Sequence, residues 1–470
     1  VLLIFVTLRI IDHQQIGNAF VINSGLLPKM FLILQTNDIL QPELLYEASV
    51  CLSCISAGSE DETLIIQEAD LIPFIYQIFD TKYDEQWNYR IKGQIGLIIG
   101  NIAGNSNESR DFILEEFDGL SQIFSRLVTY EKDIREMNHA IKLKLEYIQQ
   151  VKEKANPAKA KKMDNESIND EFDAAPPTKD EDVVNDDEVS APSADFSDPS
   201  DKIALPYEME LEKHKLSYVR TLLWTISNFY RWSPRPTFHE DHEHRFLTRI
   251  ATFWNLNDFE IQRDVAWLFS YITDISDGNM DLVISNQKAL NKIRSYLTIK
   301  LDMTKSNYVD VLHPILRIYG NFASGSSKQT DVLIKHNFFD LSIKLLLELA
   351  VPKIQQEICF ITSNVLMGSP SQRRCVMLQE KLFPCIISIL LTSESDKVRK
   401  EAIWALGALL SEGVEQGDVN QLAETRFIEG SPAFQDNLRY FILKTIQETK
   451  SQDFFQTSKA MLKLFKVSLL

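Results

Sequence analysis

The amino-acid sequence predicts an all-α superhelical solenoid, because one helical segment recurs along the chain at a nearly constant spacing. In each copy, a bulky or long side chain is followed four residues later by a polar or small one, which places both on one face of a helix. The copies lie at 47–58, 93–104, 221–229, 264–272, 314–322, 357–365 and 401–409. Apart from one long gap, their second positions are 43 to 50 residues apart. A period of that size is typical of stacked helical repeats, each of which buries its apolar face only against its neighbours.

We call the two positions the ladder pair, and the helix that carries them the ladder helix. A ring fills the first position four times, and asparagine fills the second position four times. A single Trp on an apolar helix face usually belongs to the core, but this recurrence favours a ligand-binding surface. The pairs are Val50/Cys54, Leu97/Asn101, Trp224/Asn228, Trp267/Tyr271, Arg317/Asn321, Phe360/Asn364 and Trp404/Ala408.

Each repeat is expected to contain about three helices. A short polar stretch follows most ladder segments and can cap a second helix, and apolar helical patterns then occupy 64–79, 331–347 and 375–391. A glycine precedes the polar stretch in most copies, as is typical just beyond a helix C-terminus. These glycines are Gly58, Gly104, Gly278, Gly325, Gly368 and Gly413.

The long gap in the series coincides with a charged insertion. Between Asp164 and Asp201 the chain has fourteen acidic residues and one lysine, a net charge of −13 out of −17 for the whole sequence. This stretch has four prolines and few large apolar side chains, so it cannot bury enough surface to offset its conformational entropy. We therefore expect N-terminal repeats at 1–128, a largely disordered insertion at 129–215 and C-terminal repeats at 216–470.

The composition argues against several other classes of protein. The 470 residues are 44% apolar, which is enough for a continuous core. The five cysteines show no pairing pattern, which fits a reducing compartment. Cys51 and Cys54 have CxxC spacing, but no second pair or nearby histidine completes a metal site, so we expect them to pack in the core. The apolar start at 1–8 is too short to span a membrane and is expected to form a helix of a partial first repeat.

Neither catalysis nor nucleic-acid binding is indicated. The sequence has no glycine-rich phosphate loop, no nucleophile elbow and no histidine/carboxylate cluster of catalytic type, so we expect no enzyme activity and no cofactor. The acidic balance disfavours nucleic acid as a partner, since a phosphate backbone requires positive charge.

Several segments resemble the armadillo repeats of the importin α family, the adaptors that carry nuclear localisation signals. They are GNIAGNSNESRDFIL at 100–114, WTISNFYRWSPRPTF at 224–238, DVAWLFSYITD at 264–274 and PILRIYGNFASGSSKQT at 314–330. The resemblance runs from about residue 16 to about residue 415, interrupted by the insertion. A tyrosine in the asparagine position of one repeat (Tyr271) and an arginine in the ring position of the next (Arg317) occur in the family's order. The sequence is therefore identified as a divergent member of this family.

The ladder pairs by themselves predict a groove for basic, extended peptides. Stacked ladder helices form a concave surface with regularly spaced rings and carboxamides. A carboxamide both donates and accepts, so it can bind peptide backbone of any sequence. Rings form slots in which the aliphatic part of Lys or Arg packs and the cation meets a ring face, and carboxylates select positive charge. The resemblance implies the same mode, with a major site on the N-terminal repeats and a minor site on the C-terminal ones.

The resemblance also implies a set of peptide-binding residues. At the major site they are Gly58, Thr63, Gln94, Asn101, Trp224, Asn228 and Arg231. Across the centre and the minor site they are Asp264, Trp267, Tyr271, Arg317, Asn321, Glu357, Phe360, Asn364, Glu401 and Trp404. For Arg317, pairing with a neighbouring carboxylate and shaping the groove are both open.

This set departs from the family's pattern at several positions. Val50, Leu97 and Phe360 replace Trp, Cys54 and Ala408 replace Asn, and Asn105 and Ser327 replace Asp. Loss of a ring or of a carboxylate costs about 1–3 kcal/mol at a desolvated hot spot. We therefore expect the C-terminal half of the groove to provide more of the binding energy.

Two functions follow from this reading. The first is a nuclear import adaptor, which binds proteins with basic localisation signals, shuttles between cytoplasm and nucleus and, as the resemblance implies, is carried by importin β and returned by an export receptor. The second is an armadillo scaffold of the same ancestry that binds another protein without transport. A basic importin-β-binding segment would distinguish them, and residues 1–470 contain none at the expected N-terminal place.

Overall fold

A computed structural model describes residues 15–130, 206–236, 240–256, 258–298, 306–379 and 381–408. The regular secondary structure of these ranges is α-helical. Before the insertion lie α1 (Gln15–Asn23), α2 (Leu27–Thr36), α3 (Pro42–Ser56), α4 (Glu60–Gln67), α5 (Ile72–Asp80), α6 (Glu85–Asn105), α7 (Asn107–Phe117) and α8 (119–130). After it lie α9 (Pro206–Phe229), α10 (Glu240–Phe253), α11 (Phe259–Thr273), α12 (Asp277–Ser285), α13 (Gln287–Thr298), α14 (Ser306–Ser324), α15 (Ser327–Lys335), α16 (Phe338–Glu348), α17 (Pro352–Leu366), α18 (Pro370–Met377), α19 (Leu382–Thr392) and α20 (Asp396–Ala408).

The helices stack as repeats of a first helix, a second helix and a ladder helix. The ladder helices α3, α6, α9, α11, α14, α17 and α20 each pack against the next. The second helices α10, α13, α16 and α19 form another row, and the first helices α12, α15 and α18 form a third. One hydrophobic core runs through the described repeats from Val21 to Ala408. The prediction of an all-α solenoid with about three helices per repeat is confirmed.

The insertion interrupts a repeat between its second helix, α8, and its ladder helix, α9. Residues 206–215, which we assigned to the insertion, form the first turns of α9. The expected disorder of the remaining insertion concerns 131–205, which lies outside the described residues. The partial first repeat at 1–14 and the chain beyond Ala408, including Gly413, lie outside them as well.

None of the described helices alone has both the length and the hydropathy to cross a lipid bilayer. Only α18 and α19 taken together reach that limit, and a bend of 73° separates them. In α19 the apolar side chains Leu382, Phe383, Ile386 and Leu390 are buried in the core of the solenoid.

The glycines that follow ladder helices make room for capping boxes. Gly58, Gly325 and Gly368 lie just beyond the ends of ladder helices, as predicted, but none of them has a positive φ. Each precedes a serine N-cap, and an added Cβ would crowd the side chain that folds back onto that serine's N–H. The serine and its partner three residues later are Ser59/Glu62, Ser326/Gln329 and Ser369/Gln372. Gly104 lies within α6 and Gly278 within α12, where neither ends a helix.

The capping boxes also join neighbouring repeats. The Nε2 atom of Gln329 donates to the carbonyl of Asp277 at 2.9 Å, and that of Gln372 donates to the carbonyl of Ser327 at 2.7 Å. In each case the acceptor lies in the first turn of the preceding first helix. One side chain therefore caps its own helix and binds the helix before it.

A row of glycines brings α6 and α9 into close contact. Gly96, Gly100 and Gly104 lie one turn apart on α6 and face α9, where an added Cβ on Gly100 would overlap the ring of Trp224. Without side chains in the way, the carbonyls of α6 are within reach of donors on α9 and the turn after it. Thr225 Oγ1 donates to Gly96 O at 3.0 Å, Asn228 Nδ2 to Gly100 O at 2.9 Å and Trp232 Nε1 to Gly104 O at 3.1 Å.

Replacing Gly100 with alanine is expected to destabilise the chain by roughly 1–3 kcal/mol, because the new methyl group displaces the Trp224 ring from α6. Gly93→Ala on the same helix is the control. Its Cβ would meet no atom within 4 Å, so alanine's helix propensity should leave stability unchanged or raise it by about 0.5–1 kcal/mol. Urea unfolding followed by circular dichroism measures both variants. Equal unfolding midpoints would contradict the close contact.

Candidate functional site

The ladder pairs line one continuous surface of the stacked ladder helices. All seven side chains at the first ladder position are half-buried, whereas the residues on either side of most of them belong to the core. Hydrogen bonds and ring contacts between neighbouring ladder helices connect this surface along its length. We call this surface the ladder groove.

Three ladder asparagines bind the helix that precedes their own. The Nδ2 atom of Asn101 donates to Ser53 O at 3.1 Å, and that of Asn321 donates to Ser270 O at 2.8 Å. With Asn228 and Gly100 the pattern is the same: the acceptor is the residue immediately before the second ladder position of the preceding helix. Within the described residues these bonds engage only Nδ2. Asn101 and Asn321 are half-buried, so their Oδ1 atoms are left to accept a hydrogen bond from a ligand, whereas Asn228 is buried.

Asn364 departs from that pattern. Its Nδ2 donates to Phe360 O of its own helix at 2.9 Å. The carbonyl that it would otherwise reach belongs to Gly320 and accepts from the Ser324 hydroxyl at 3.0 Å. The amide of Asn364 is therefore held by α17 alone.

Rings at the first ladder position pack over a small residue of the preceding ladder helix. Trp224 lies against Gly100, and Phe360 lies 3.3 Å from the place where Gly320 would carry a Cβ. In the centre of the groove the rings of Trp267 and Tyr271 stack with centroids 5.8 Å apart. These rings are half-buried, so part of each is accessible to an aliphatic chain with a terminal cation.

Carboxylates concentrate in the C-terminal half of the ladder groove. Glu357 is 5% exposed, and its carboxylate lies 3.5 Å from Arg317 Nη1 and 3.5 Å from His313 Nε2. Burial raises the pKa of Glu401; Lys400 opposes this increase and Glu357 adds to it. Arg317 therefore pairs with a neighbouring carboxylate, the first of its two expected roles.

Asp264 is the third carboxylate of this half and is buried beside Arg263, whose Nε donates to Asp264 Oδ1 at 3.0 Å. Burial raises its pKa to about 6, while the neighbouring Arg263 charge and its hydrogen bond act in the opposite direction. A carboxyl with that pKa is ionised at neutral pH but is protonated in mild acid.

A pocket of about 290 Å³ opens between α11 and α14. Arg317, Asn321 and Phe360 line it from the ladder, Asp274 lines it from the turn after α11, and Asp277 lines it from the start of α12. Asp274 also pairs with Arg235 at 2.6 Å. The pocket thus joins ladder side chains to two further carboxylates.

The N-terminal half of the groove is less well equipped for a basic ligand. Thr63 is 2% exposed and its hydroxyl lies 2.9 Å from Ser56 O, so the structure places this expected binding residue in the interior. Gly58 makes room for the Glu62 cap, and Gln94 Oε1 accepts from Ser53 Oγ at 2.8 Å. Asn105, in the place of a family carboxylate, has a buried Nδ2 without a hydrogen-bond partner.

At the boundary of the two halves, Arg231 is exposed and its guanidinium lies 5.5 Å from the ring centroid of Trp232. Trp404 is half-buried on the last described ladder helix, beside Glu401. Sequence reasoning missed His313, which meets the Trp267 ring edge-on at 5.3 Å. Its position four residues before Arg317 was the available signal. Tyr46, Trp87 and Arg90 were missed in the same way, since each lies on the ladder face one or more turns before its ladder pair.

Replacing Asp264 with asparagine is expected to change how stability depends on pH. Because burial raises the Asp264 pKa from 3.8 to about 6, the folded chain holds a proton between these values that the unfolded chain has lost. The contribution of this group to stability is therefore lost as pH rises through that window. Relative to the wild type, Asp264→Asn should gain about 1–3 kcal/mol between pH 4 and pH 7.5.

Urea unfolding at the two pH values measures this difference. Asp340→Asn, at an exposed carboxylate of α16, is the matched control for the loss of one carboxylate. The same gain in both variants would mean that Asp264 is not the source.

Comparison with known proteins agrees with this architecture. Importin subunit alpha-1a of Oryza sativa subsp. japonica is 30% identical over 174 residues, which cover 37% of this chain and 31% of that protein. Importin subunit alpha-1b of the same plant is 23% identical over 340 residues, which cover 72% of this chain and 45% of that protein. The matched part therefore spans less than half the length of either relative.

The fold also has a counterpart among solved structures. An engineered protein with 12% sequence identity aligns with a TM-score of 0.51, covering 96% of this chain and 91% of its own. No protein-family model matches the sequence. The chain is thus similar in sequence to importin alpha subunits, and its fold is an all-α solenoid of armadillo type.

Proposed function

We propose that the chain binds basic, extended peptides in the ladder groove, and that the C-terminal half of the groove provides most of the affinity. The observation that carries this proposal is the combination, on neighbouring ladder helices, of half-buried rings, asparagine oxygens that no described residue engages and buried carboxylates. These three elements provide aliphatic packing, backbone recognition and charge selection, which together specify a Lys- or Arg-containing strand of peptide.

An asparagine contributes most to peptide affinity when the orientation of its side-chain amide is already fixed in the free protein. Asn321 holds its amide through two donated bonds, to Ser270 O and to Thr273 Oγ1 at 2.9 Å. Its Oδ1 is thus oriented before a ligand arrives, and a peptide N–H can bind without ordering the side chain. A preorganised acceptor costs little conformational entropy on binding.

The C-terminal half supplies carboxylates to the groove. Glu357 and Glu401 lie near one another, with the Arg317 guanidinium and the Lys400 ammonium beside them. Partial burial strengthens attraction between these carboxylates and a peptide cation, because the local dielectric is lower than in water. In the N-terminal half, Leu97 and Asn105 stand where a ring and a carboxylate would be required.

At the level of the whole protein, we propose a nuclear import adaptor that binds localisation signals and associates with importin β and an export receptor while it shuttles between cytoplasm and nucleus. The support is the similarity to importin alpha subunits, of which the chain spans less than half. An armadillo scaffold that binds another partner without transport is the alternative. Titration of purified importin β onto the full reading frame separates the two, because only the adaptor requires that contact.

Paired substitutions test where peptides bind. Glu401→Gln with Trp404→Ala removes a carboxylate and a ring from the C-terminal half and should weaken a Lys/Arg hexapeptide by about 10- to 100-fold. Leu97→Ala with Asn101→Ala removes the ladder pair of α6 in the N-terminal half and should alter affinity less than about threefold. Calorimetric titration at low salt measures both, and affinity should fall as salt is added, because screening weakens charge attraction.

Circular dichroism of both double variants checks that they fold, since Asn101 also binds Ser53 O. A larger loss of affinity in the N-terminal variant would show that the predicted order of the two halves is wrong. No measurable affinity of the wild type for any basic peptide would refute the proposed function itself.

A further inference from the structure

Two rings and a guanidinium form a compact cluster at the N-terminal end of the ladder groove. Tyr46 on α3 and Trp87 on α6 have ring centroids 5.6 Å apart with an interplanar angle of 50°. The Cζ atom of Arg90 lies 4.4 Å from the Tyr46 centroid and 4.7 Å from the Trp87 centroid. One arginine thus makes cation–π contacts with two rings from different helices, a geometry typical of a bound cation.

The cluster lies on the face that carries the ladder pairs. Arg90 precedes Asn101 by eleven residues, or about three turns of α6, so both project to the same side. Tyr46 is one turn before Val50 on α3. All three members of the cluster are half-buried, like the side chains of the first ladder position. The cluster therefore borders the ladder pairs of α3 and α6 on the groove face.

Carboxylates complete the surroundings of the guanidinium. Burial raises the pKa of Glu47, the Glu43 charge raises it further and Arg90 lowers it, so all three charges lie close together. Without the arginine, the site would consist of two rings beside two carboxylates. That composition fits a cation from outside the chain.

We propose that Arg90 is a built-in occupant of this cation site and, as a specificity-determining residue, excludes basic peptide side chains from the N-terminal half of the groove. Arg90 fills the space between the rings and neutralises the neighbouring carboxylates, and its own charge repels a second cation. Because Arg90 belongs to α6, it occupies the site at any protein concentration, whereas a peptide cation must bind from solution. The proposal rests on the proposed function, since it specifies where a basic peptide does not bind.

The test is the number of peptides bound per chain. A Lys/Arg hexapeptide spans only about 20 Å when extended, and α3/α6 and α17/α20 lie at opposite ends of the described ladder. Calorimetric titration should give one hexapeptide per wild-type chain and two per Arg90→Ala chain. Arg90→Lys keeps a cation on the same helix face and should remain at one. Arg294→Ala, which removes an exposed arginine from α13, controls for net charge and should also remain at one.

A second substitution identifies the new site. Adding Trp87→Ala to Arg90→Ala removes one ring and should return the stoichiometry to one. Circular dichroism checks the fold of each variant. Arg90→Gln gives the same test with a longer polar side chain if the alanine variant is unstable.

The outcomes separate this inference from the proposed function. One peptide per chain for both wild type and Arg90→Ala would overturn the inference and leave the proposed function standing. Two peptides per wild-type chain, or a second site in Arg90→Ala that survives Trp87→Ala, would overturn it as well. If neither wild type nor Arg90→Ala binds the hexapeptide, both ideas fail.

Discussion

The close packing of each ladder helix on the one before it is the contact on which the rest of the molecule depends. It requires a small residue immediately before the second ladder position, such as Ser53, Gly100 or Ser270, because a ring or an amide from the next helix must reach the backbone there. The asparagine that donates to that carbonyl sets the register between the two helices. The same bond fixes the orientation of the side-chain amide. In the proposed function, stacking and peptide recognition therefore share one side chain.

A second set of contacts joins the repeats on the side of the first helices. Gln329 and Gln372 close capping boxes on their own helices and also bind the preceding first helix. Because every described contact of this kind joins neighbours, stability is expected to be close to a sum of repeat and interface contributions. Among the described interfaces between ladder helices, the one between α6 and α9 is the most extensive. It has a row of glycines on α6 and three hydrogen-bond donors on α9 and the turn after it.

Much of the fold was predictable, because the repeats of a solenoid share a residue pattern that recurs at a nearly constant spacing. The ladder pairs marked the seven ladder helices, and the rings and carboxylates of the C-terminal half, such as Trp267 and Glu357, lie in the groove where the pattern placed them. The boundary at residue 215 came too late, since the charged first turns of α9 resemble linker by composition. The sequence did not predict that Gly58 makes room for a capping box, because this depends on the Glu62 side chain reaching the Ser59 N–H.

The parts of the site that could not be predicted depend on register between helices. Thr63 matches the family's pattern, yet its hydroxyl is used inside the repeat. The sequence places Trp87 and Arg90 on one helix face. The cation site that they form also requires Tyr46, which lies 41 residues before Trp87 on another helix. A single sequence does not give that alignment of α3 against α6. Periodicity predicts which face a residue occupies, whereas the partner across the interface comes only from the structure.

The position of the insertion has a consequence for the order of folding. Asn228 binds Gly100 across 128 residues, whereas Asn101 binds Ser53 across 48. Loop-closure entropy makes the longer separation about 0.9 kcal/mol more costly, and non-local contacts of this kind form slowly. Repeats on either side can each propagate from local contacts, so the two blocks are expected to assemble first and to meet last at the α6–α9 interface. The close packing at the glycine row and the three hydrogen bonds across it would then form in the last step, when the two blocks of repeats associate.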